Sequence, residues 1–126
     1  MLNINSFDHI NLFVSNLDKS LDFYHEIFGM KVKEEGLGSN GKPYRIIGSG
    51  NVYFALYEKG EAVNSGSINH IGIHINDFDK AHQKLKEKGI ELHYGGVVEY
   101  DNSRSMYIED PDGYSFELSE VFAGAL

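Results

Sequence analysis

The chain has 126 residues, 41% of them hydrophobic, a formal net charge of −8 at pH 7 and no cysteine. This length suits one domain, or two small modules that share a core. The lack of cysteine excludes disulfides, thiolate metal ligands and a cysteine nucleophile. The negative charge argues against binding to nucleic acid or anionic membranes, because both depend on clustered lysine and arginine. No apolar run approaches the roughly 18 residues of a membrane helix, and no basic segment followed by an apolar run begins the chain, so we expect a cytoplasmic protein.

The first half of the sequence predicts the element order β-α-β-β-β. A helix is predicted over residues 17–28, because Asn16 is a suitable N-cap and Gly29 stands where a left-handed residue usually ends a helix. Strands are predicted at residues 8–14, 30–35, 44–47 and 52–58.

The second half repeats this order after a linker at residues 60–66. A helix is predicted near residues 78–88, ending at Gly89. Residues 110–113 read Asp-Pro-Asp-Gly, which predicts a tight turn between the last two strands. Strands are predicted at residues 69–75, 90–98, 104–109 and 114–121.

Two segments of the chain are near copies of each other. Residues 8–19 reappear as residues 69–80, and each copy has a histidine at the same point of its strand, His9 and His70. A duplicated unit that repeats a residue able to bind metal predicts two halves that meet around a shared site.

The duplication extends to the last strand of each half. Residues 50–54 align with residues 113–117, which places Phe54 at the position equivalent to Glu117. The metal ligands predicted from the two repeats are His9, His70 and Glu117. Two imidazoles and one carboxylate suit a divalent transition metal and leave open positions for water, substrate or dioxygen. Taken singly, each residue has a structural alternative, because histidines near strand starts are usually structural and glutamates in terminal strands usually face solvent.

Three other residues are candidates for the same site. Asn11 shares the strand face of the first histidine and is a candidate for orienting substrate. His74 shares the face of the second histidine and could act as an acid or base, since its reference pKa is near neutrality. The alternative for His74 is a packed core residue, because Phe13 occupies the equivalent place in the first half. Phe54 is expected to contact the substrate.

The sequence resembles the vicinal oxygen chelate superfamily, which includes glyoxalase I, extradiol dioxygenases, fosfomycin-resistance proteins and bleomycin-binding proteins. The resemblance spans about residues 6–121 and rests on residues 7–11, 20–30, 69–71 and 110–117. It implies an α+β fold in which two βαβββ modules form a cupped mixed β-sheet with the helices outside. We therefore expect residues 1–126 to form a single glyoxalase-like domain, with repeat modules at about 6–60 and 67–122.

The resemblance also implies roles for particular residues. His9, His70 and Glu117 match the family's ligand positions for one divalent metal ion, which could be Fe, Mn, Zn, Ni or Co. Glyoxalase I has a fourth ligand, Glu or Gln, at the position matched here by Phe54, and this difference counts against an ordinary glyoxalase I. Tyr107 matches a pocket tyrosine of the extradiol dioxygenases and fosfomycin thiol transferases, where a phenol can stabilise an oxygen anion. The alternative for Tyr107 is a half-buried strand tyrosine.

The reaction that the three-ligand set predicts first is extradiol-dioxygenase-like, with iron(II) and dioxygen. Glyoxalase-like lyase or isomerase chemistry and fosfomycin-type thiol transfer are the alternative reactions. A non-catalytic drug-binding protein of the bleomycin-resistance type is the alternative class, and the complete ligand set favours catalysis. The expected partner is a small-molecule substrate. A homodimer is also expected from the resemblance, in which each cup is closed either within one chain or by modules of two chains.

Overall fold

A computed structural model describes residues 1–125, which divide into two compact units, Met1–Val63 and a second that begins at Asn64. Each unit consists of a four-stranded mixed sheet and one α-helix. Its elements follow the order β-α-β-β-β along the chain. This confirms the predicted α+β class and the predicted order of elements. Among the described residues, none of the helices is long and apolar enough to cross a bilayer.

The first unit has the sheet order β1-β4-β3-β2, with β1 parallel to β4 and the other pairs antiparallel. Its elements are β1 (Ile10–Val14), α1 (Leu17–Phe28), β2 (Lys31–Leu37), β3 (Pro43–Ser49) and β4 (Val52–Glu58). Strand β1 alternates as predicted, because Leu12 and Val14 are buried while Asn11 and Phe13 are exposed. The buried face lies on the unit's own core, and the exposed face carries Asn11 and Phe13.

Helix α1 has the limits predicted from its capping residues. The Asn16 side chain accepts a hydrogen bond from the Lys19 amide at 3.1 Å, and Gly29 has the left-handed conformation, with φ of 65°. A second acceptor comes from β4, where Glu58 Oε2 accepts from the Leu17 amide at 2.7 Å. This carboxylate therefore stabilises the start of the helix, whose exposed amides favour negative charge.

The second unit has the sheet order β5-β8-β7-β6, with β5 parallel to β8. Its elements are β5 (Ile71–His74), α2 (Phe78–Glu87), β6 (Val98–Glu99), β7 (Arg104–Glu109) and β8 (Ser115–Ser119), with short 3-10 turns at Ser65–Ser67 and Phe122–Ala125. The two units therefore use the same strand connections.

One predicted strand is wrong. Of the predicted strand at residues 90–98, only Val98 lies in a strand of the structure, β6, which pairs with β7. The rest is a loop, because Tyr94, Gly95 and Gly96 all have positive φ angles, of 57°, 78° and 124°. A strand requires negative φ at every residue, so these three residues end it.

Candidate metal-binding site

A histidine and a carboxylate meet in the second unit at the beginning of β5. His70 Nε2 lies 3.1 Å from Glu117 Oε1, and their side chains are 39% and 22% exposed. The parallel pairing of β5 with β8 produces this approach, since it sets Gly72 beside Glu117 and leaves His70 two residues earlier on the same face. A Cβ atom at Gly72 would meet no other atom within 4 Å, so the space in front of the pair is open.

The contact of His70 with Asn69 determines which ring nitrogen faces Glu117. His70 Nδ1 lies 2.8 Å from Asn69 Oδ1. An amide oxygen only accepts hydrogen bonds, so Nδ1 is the donor in this contact and Nε2 is the ring nitrogen that faces Glu117. At this distance Nε2 and Glu117 Oε1 can share either a proton or a cation.

A hydrogen bond from Ser105 orients the other oxygen of Glu117. Glu117 Oε2 accepts a hydrogen bond of 2.6 Å from the hydroxyl of Ser105, which is only 1% exposed. A fixed second oxygen orients the carboxylate, so that Oε1 remains the free ligand atom. Asn69 and Ser105 are therefore the partners that position this pair.

The first unit repeats the arrangement around His9. His9 Nδ1 lies 2.7 Å from Asp8 Oδ2, so this imidazole is also held by the residue before it and also presents Nε2 outward. Its side chain is 49% exposed. Asn11 is exposed on the same face. A donor set of two imidazoles and one oriented carboxylate has the chemistry that a divalent transition metal prefers.

The strand register corrects the predicted equivalence of Phe54 and Glu117. Phe54 pairs with Ile10 in the first unit, whereas Glu117 pairs with Gly72 in the second. The residue equivalent to Glu117 is therefore Ala55, which pairs with Asn11.

The burial of Phe54 agrees with this register. Phe54 is 1% exposed and packs edge-on against Tyr24 of helix α1, with ring centroids 5.5 Å apart. Its side chain lies in the core of the first unit, and its contact with substrate stays a prediction. Neither Phe54 nor Ala55 can act as a fourth ligand, so the candidate set still has three.

Tyr107 lies beside the carboxylate on the neighbouring strand. It pairs with Glu117 in the β7–β8 register and is 8% exposed. Its hydroxyl is 2.7 Å from the hydroxyl of Tyr100. Burial raises the pKa of Tyr107 far above its usual range, and the Tyr100 hydrogen bond and the charge of Glu117 raise the pKa further. At neutral pH Tyr107 is therefore a protonated phenol, which is a hydrogen-bond donor.

His74, the predicted acid or base, lies at the far end of β5. It is exposed, pairs with Ser119 and contacts the ring of Phe122 edge-on, with centroids 6.0 Å apart. The predicted set is thus divided between the units, with His9 in the first and His70 and Glu117 in the second. Within residues 1–125, neither unit by itself gathers three histidine or acidic side chains around one point.

Sequence reasoning missed the residues that orient the ligands. Asp8 and Asn69 occupy the same place in the two repeats, each directly before its histidine. An oxygen-bearing side chain repeated at that place was the signal that could have identified them. Ser105 gives no such signal, because its contact with Glu117 depends on the pairing of β7 with β8.

The chain belongs to the Glyoxalase/Bleomycin resistance protein/Dioxygenase superfamily, whose family model matches residues 6–118. It is 32% identical over 120 residues to the metallothiol transferase FosB of Staphylococcus epidermidis, covering 91% of this chain and 83% of the relative. It is 28% identical over 130 residues to a lactoylglutathione lyase of Neisseria meningitidis, covering 92% of this chain and 91% of the relative.

Solved structures confirm the glyoxalase-like fold. A fosfomycin resistance protein, FosX of Listeria monocytogenes, superimposes with a TM-score of 0.80 at 22% identity, covering 98% of this chain and all of that one. A second structure of FosX, complexed with Mn(II) and sulfate, gives a TM-score of 0.71 at 23% identity and covers 93% of each chain.

Proposed function

We propose that this chain is a metal-dependent enzyme in which His70 and Glu117, together with His9, hold one divalent cation for a small oxygen-rich substrate. The observation that carries the proposal is the approach of His70 Nε2 to Glu117 Oε1 at 3.1 Å with both groups oriented from behind. His9 would come either from the same chain or from a second copy of it. The homodimer expected from the family resemblance is part of this proposal.

The chain's own residues supply the remaining chemistry. A divalent cation in such a site acts as a Lewis acid on oxygen atoms of the substrate. Tyr107 would donate a hydrogen bond to the substrate oxygen on which negative charge develops, because its proton is retained at neutral pH. Asn11 would orient the substrate through its amide. His74 lies at the far end of β5 against Phe122 and has no role in this proposal.

Thiol transfer is the reaction named for one of the two relatives, the metallothiol transferase, of which the alignment covers 83%. The thiol sulfur would attack an epoxide carbon as the ring C–O bond breaks, and the thiol proton would end on the released oxygen. Fosfomycin carries a phosphonate, a group that arginine binds, and both arginines of the chain have carboxylate partners. Arg45 Nε lies 3.5 Å from Glu35 Oε1. Arg104 is occupied by Glu120 at 2.6 Å and Asp79 at 3.0 Å, and its guanidinium lies over the Phe78 ring at 4.5 Å.

Extradiol-type ring cleavage is the second candidate. The three-ligand set supports it, because the equivalent of Glu117 is the non-ligating Ala55. The same feature counts against glyoxalase-like lyase chemistry, which needs the fourth ligand. A drug-binding role without catalysis would leave the orientation of the two histidines and Glu117 without a purpose.

The proposal is tested by titrating metal-free protein with Mn(II), Fe(II) or Zn(II) in a calorimeter and then assaying three reactions. These are thiol consumption with an epoxide, oxygen uptake with a catechol, and isomerisation of a hemithioacetal. We expect about one ion per chain and metal-dependent loss of thiol. Oxygen uptake without thiol consumption would select the second candidate, and failure to bind any of the three ions would refute the proposal.

Ala55→Glu is expected to add a fourth ligand and to strengthen metal retention by about tenfold, because residue 55 pairs with Asn11 as Glu117 pairs with Gly72. Ala55 is 3% exposed, so the new carboxylate also costs stability in metal-free protein, and the bound cation offsets that cost. The measurement is the rate of metal loss to a chelator. Phe54→Glu is the matched control, and it should destabilise the fold by several kcal/mol without tightening metal, because it buries a charge against helix α1. Tighter metal in the Phe54 variant would show that the register is misassigned.

A further inference from the structure

Two exposed tyrosines contact Tyr107, the neighbour of Glu117: Tyr94 from the loop between α2 and β6, and Tyr100 from the loop between β6 and β7. Tyr94 is 75% exposed and Tyr100 is 53% exposed. Tyr94 meets the Tyr107 ring edge-on, with centroids 4.9 Å apart. The Tyr107 ring in turn meets the His70 ring edge-on, with centroids 6.1 Å apart. The rings therefore form a continuous aromatic series that ends at a proposed metal ligand.

The conformation of Tyr94 is costly. Its φ of 57° lies in the left-handed region, which bulky side chains rarely adopt, and the next two residues are glycines for which that region carries no penalty. A tyrosine kept in a strained backbone beside a candidate site indicates a role for its ring.

Both loops are anchored, so their rings are held in place. The His93 amide donates to the Tyr107 carbonyl at 2.9 Å, and the Tyr100 amide donates to the Ser103 carbonyl at 2.8 Å. The Tyr100 hydroxyl is also hydrogen-bonded to that of Tyr107 at 2.7 Å. Pre-ordered rings can contact a ligand with little further loss of entropy.

From this arrangement we infer that Tyr94 and Tyr100 form an aromatic wall that selects substrates carrying a planar aromatic ring next to their chelating oxygens. The inference rests on the proposed function, since the oxygens would be held at His70 and Glu117. A flat ring placed against tyrosine rings gains offset-stacked or edge-to-face contacts that an alkyl group of similar polarity lacks. Tyr94 is then a specificity-determining residue.

Two chelators that differ only in their substituent test the wall. Benzohydroxamate and acetohydroxamate present the same pair of oxygens, one on a phenyl ring and the other on a methyl group. Binding of each to the Zn(II)-loaded protein is measured by calorimetry. We expect the wild type to bind benzohydroxamate about tenfold or more tightly than acetohydroxamate, beyond the ratio of their affinities for free Zn(II).

Variants assign that preference to particular rings. Tyr94→Gly removes the ring and relieves the strain, and it should lower benzohydroxamate affinity about tenfold while leaving acetohydroxamate affinity unchanged. Tyr94→Phe should keep the preference. Tyr53→Ala, which removes an exposed tyrosine of the first unit, is the matched control and should change neither affinity.

Failure of the aromatic wall and failure of the metal site give different results in these experiments. Binding of both hydroxamates in the ratio seen for free Zn(II), or an unchanged ratio in Tyr94→Gly, would overturn the aromatic wall and leave the metal site standing. Failure of the protein to bind Zn(II) would overturn the proposed function and the wall with it. A change of molecular mass in solution on Tyr94→Gly, with no change in the ratio, would assign this surface to a second copy of the chain and overturn the inference.

Discussion

His70→Ala is expected to reduce the divalent metal retained after gel filtration from about one ion per chain to less than about 0.1. His70 Nε2 lies 3.1 Å from Glu117 Oε1, and no other histidine within residues 64–125 forms an ion pair with that carboxylate. Metal content is measured by inductively coupled plasma mass spectrometry. His82→Ala, which changes a histidine of helix α2 outside the candidate site, is the control and should retain the full content.

Ser105→Ala is expected to lose less metal than His70→Ala. Ser105→Ala removes the hydrogen bond that orients Glu117 Oε2, and the loss of such a partner typically weakens metal binding about 10–100-fold. We therefore expect Ser105→Ala to lie between the wild type and His70→Ala. Equal metal contents in all these proteins would show that His70 and Glu117 form an ordinary hydrogen bond.

Tyr107→Phe is expected to lower kcat about 100-fold or more in whichever reaction the wild type catalyses, with little change in KM. The variant keeps the ring that packs in the second unit and removes only the hydroxyl, a donor that burial, Tyr100 and Glu117 keep protonated. The effect should fall on kcat, because the hydrogen bond strengthens as negative charge develops on the substrate.

The controls for this prediction separate the hydroxyl from the fold. Tyr57→Phe changes a tyrosine stacked on Tyr44 in the first unit, with centroids 4.7 Å apart, and should leave kcat unchanged. The Tyr107 hydroxyl is hydrogen-bonded to Tyr100 and Glu117, so kcat is compared at saturating metal, and urea unfolding should show a loss of only about 1 kcal/mol in Tyr107→Phe. A kcat within about twofold of the wild type would remove Tyr107 from the chemistry.

Local signals in the sequence predicted most of the fold. The limits of helix α1 follow from Asn16 and Gly29, because a cap and a left-handed glycine act within a few residues of the chain. The buried face of β1 follows from period-two alternation. The loop at residues 90–97 was missed because its apolar residues resemble a strand, while the positive φ of Tyr94 reflects anchoring to β7 rather than its own preference.

The candidate site was predictable where it depended on the repeat and unpredictable where it depended on strand pairing. The local environments of His9 and His70 are repeated, as the duplicated segments predict. The equivalence of Phe54 with Glu117 failed by one residue because the turns before β4 and β8 differ in length, and a one-residue shift moves a side chain to the opposite face. The same shift moved Phe54 into the core.

The proposed metal site requires that His9, His70 and Glu117 bind one cation. The most direct test is X-ray absorption of the Co(II)-loaded protein, in which multiple scattering counts the imidazoles bound to the metal. We predict two imidazoles per cobalt in the wild type and one in His9→Ala. The other atoms bound to cobalt should be oxygen. One imidazole in both proteins, or none, would contradict the shared site.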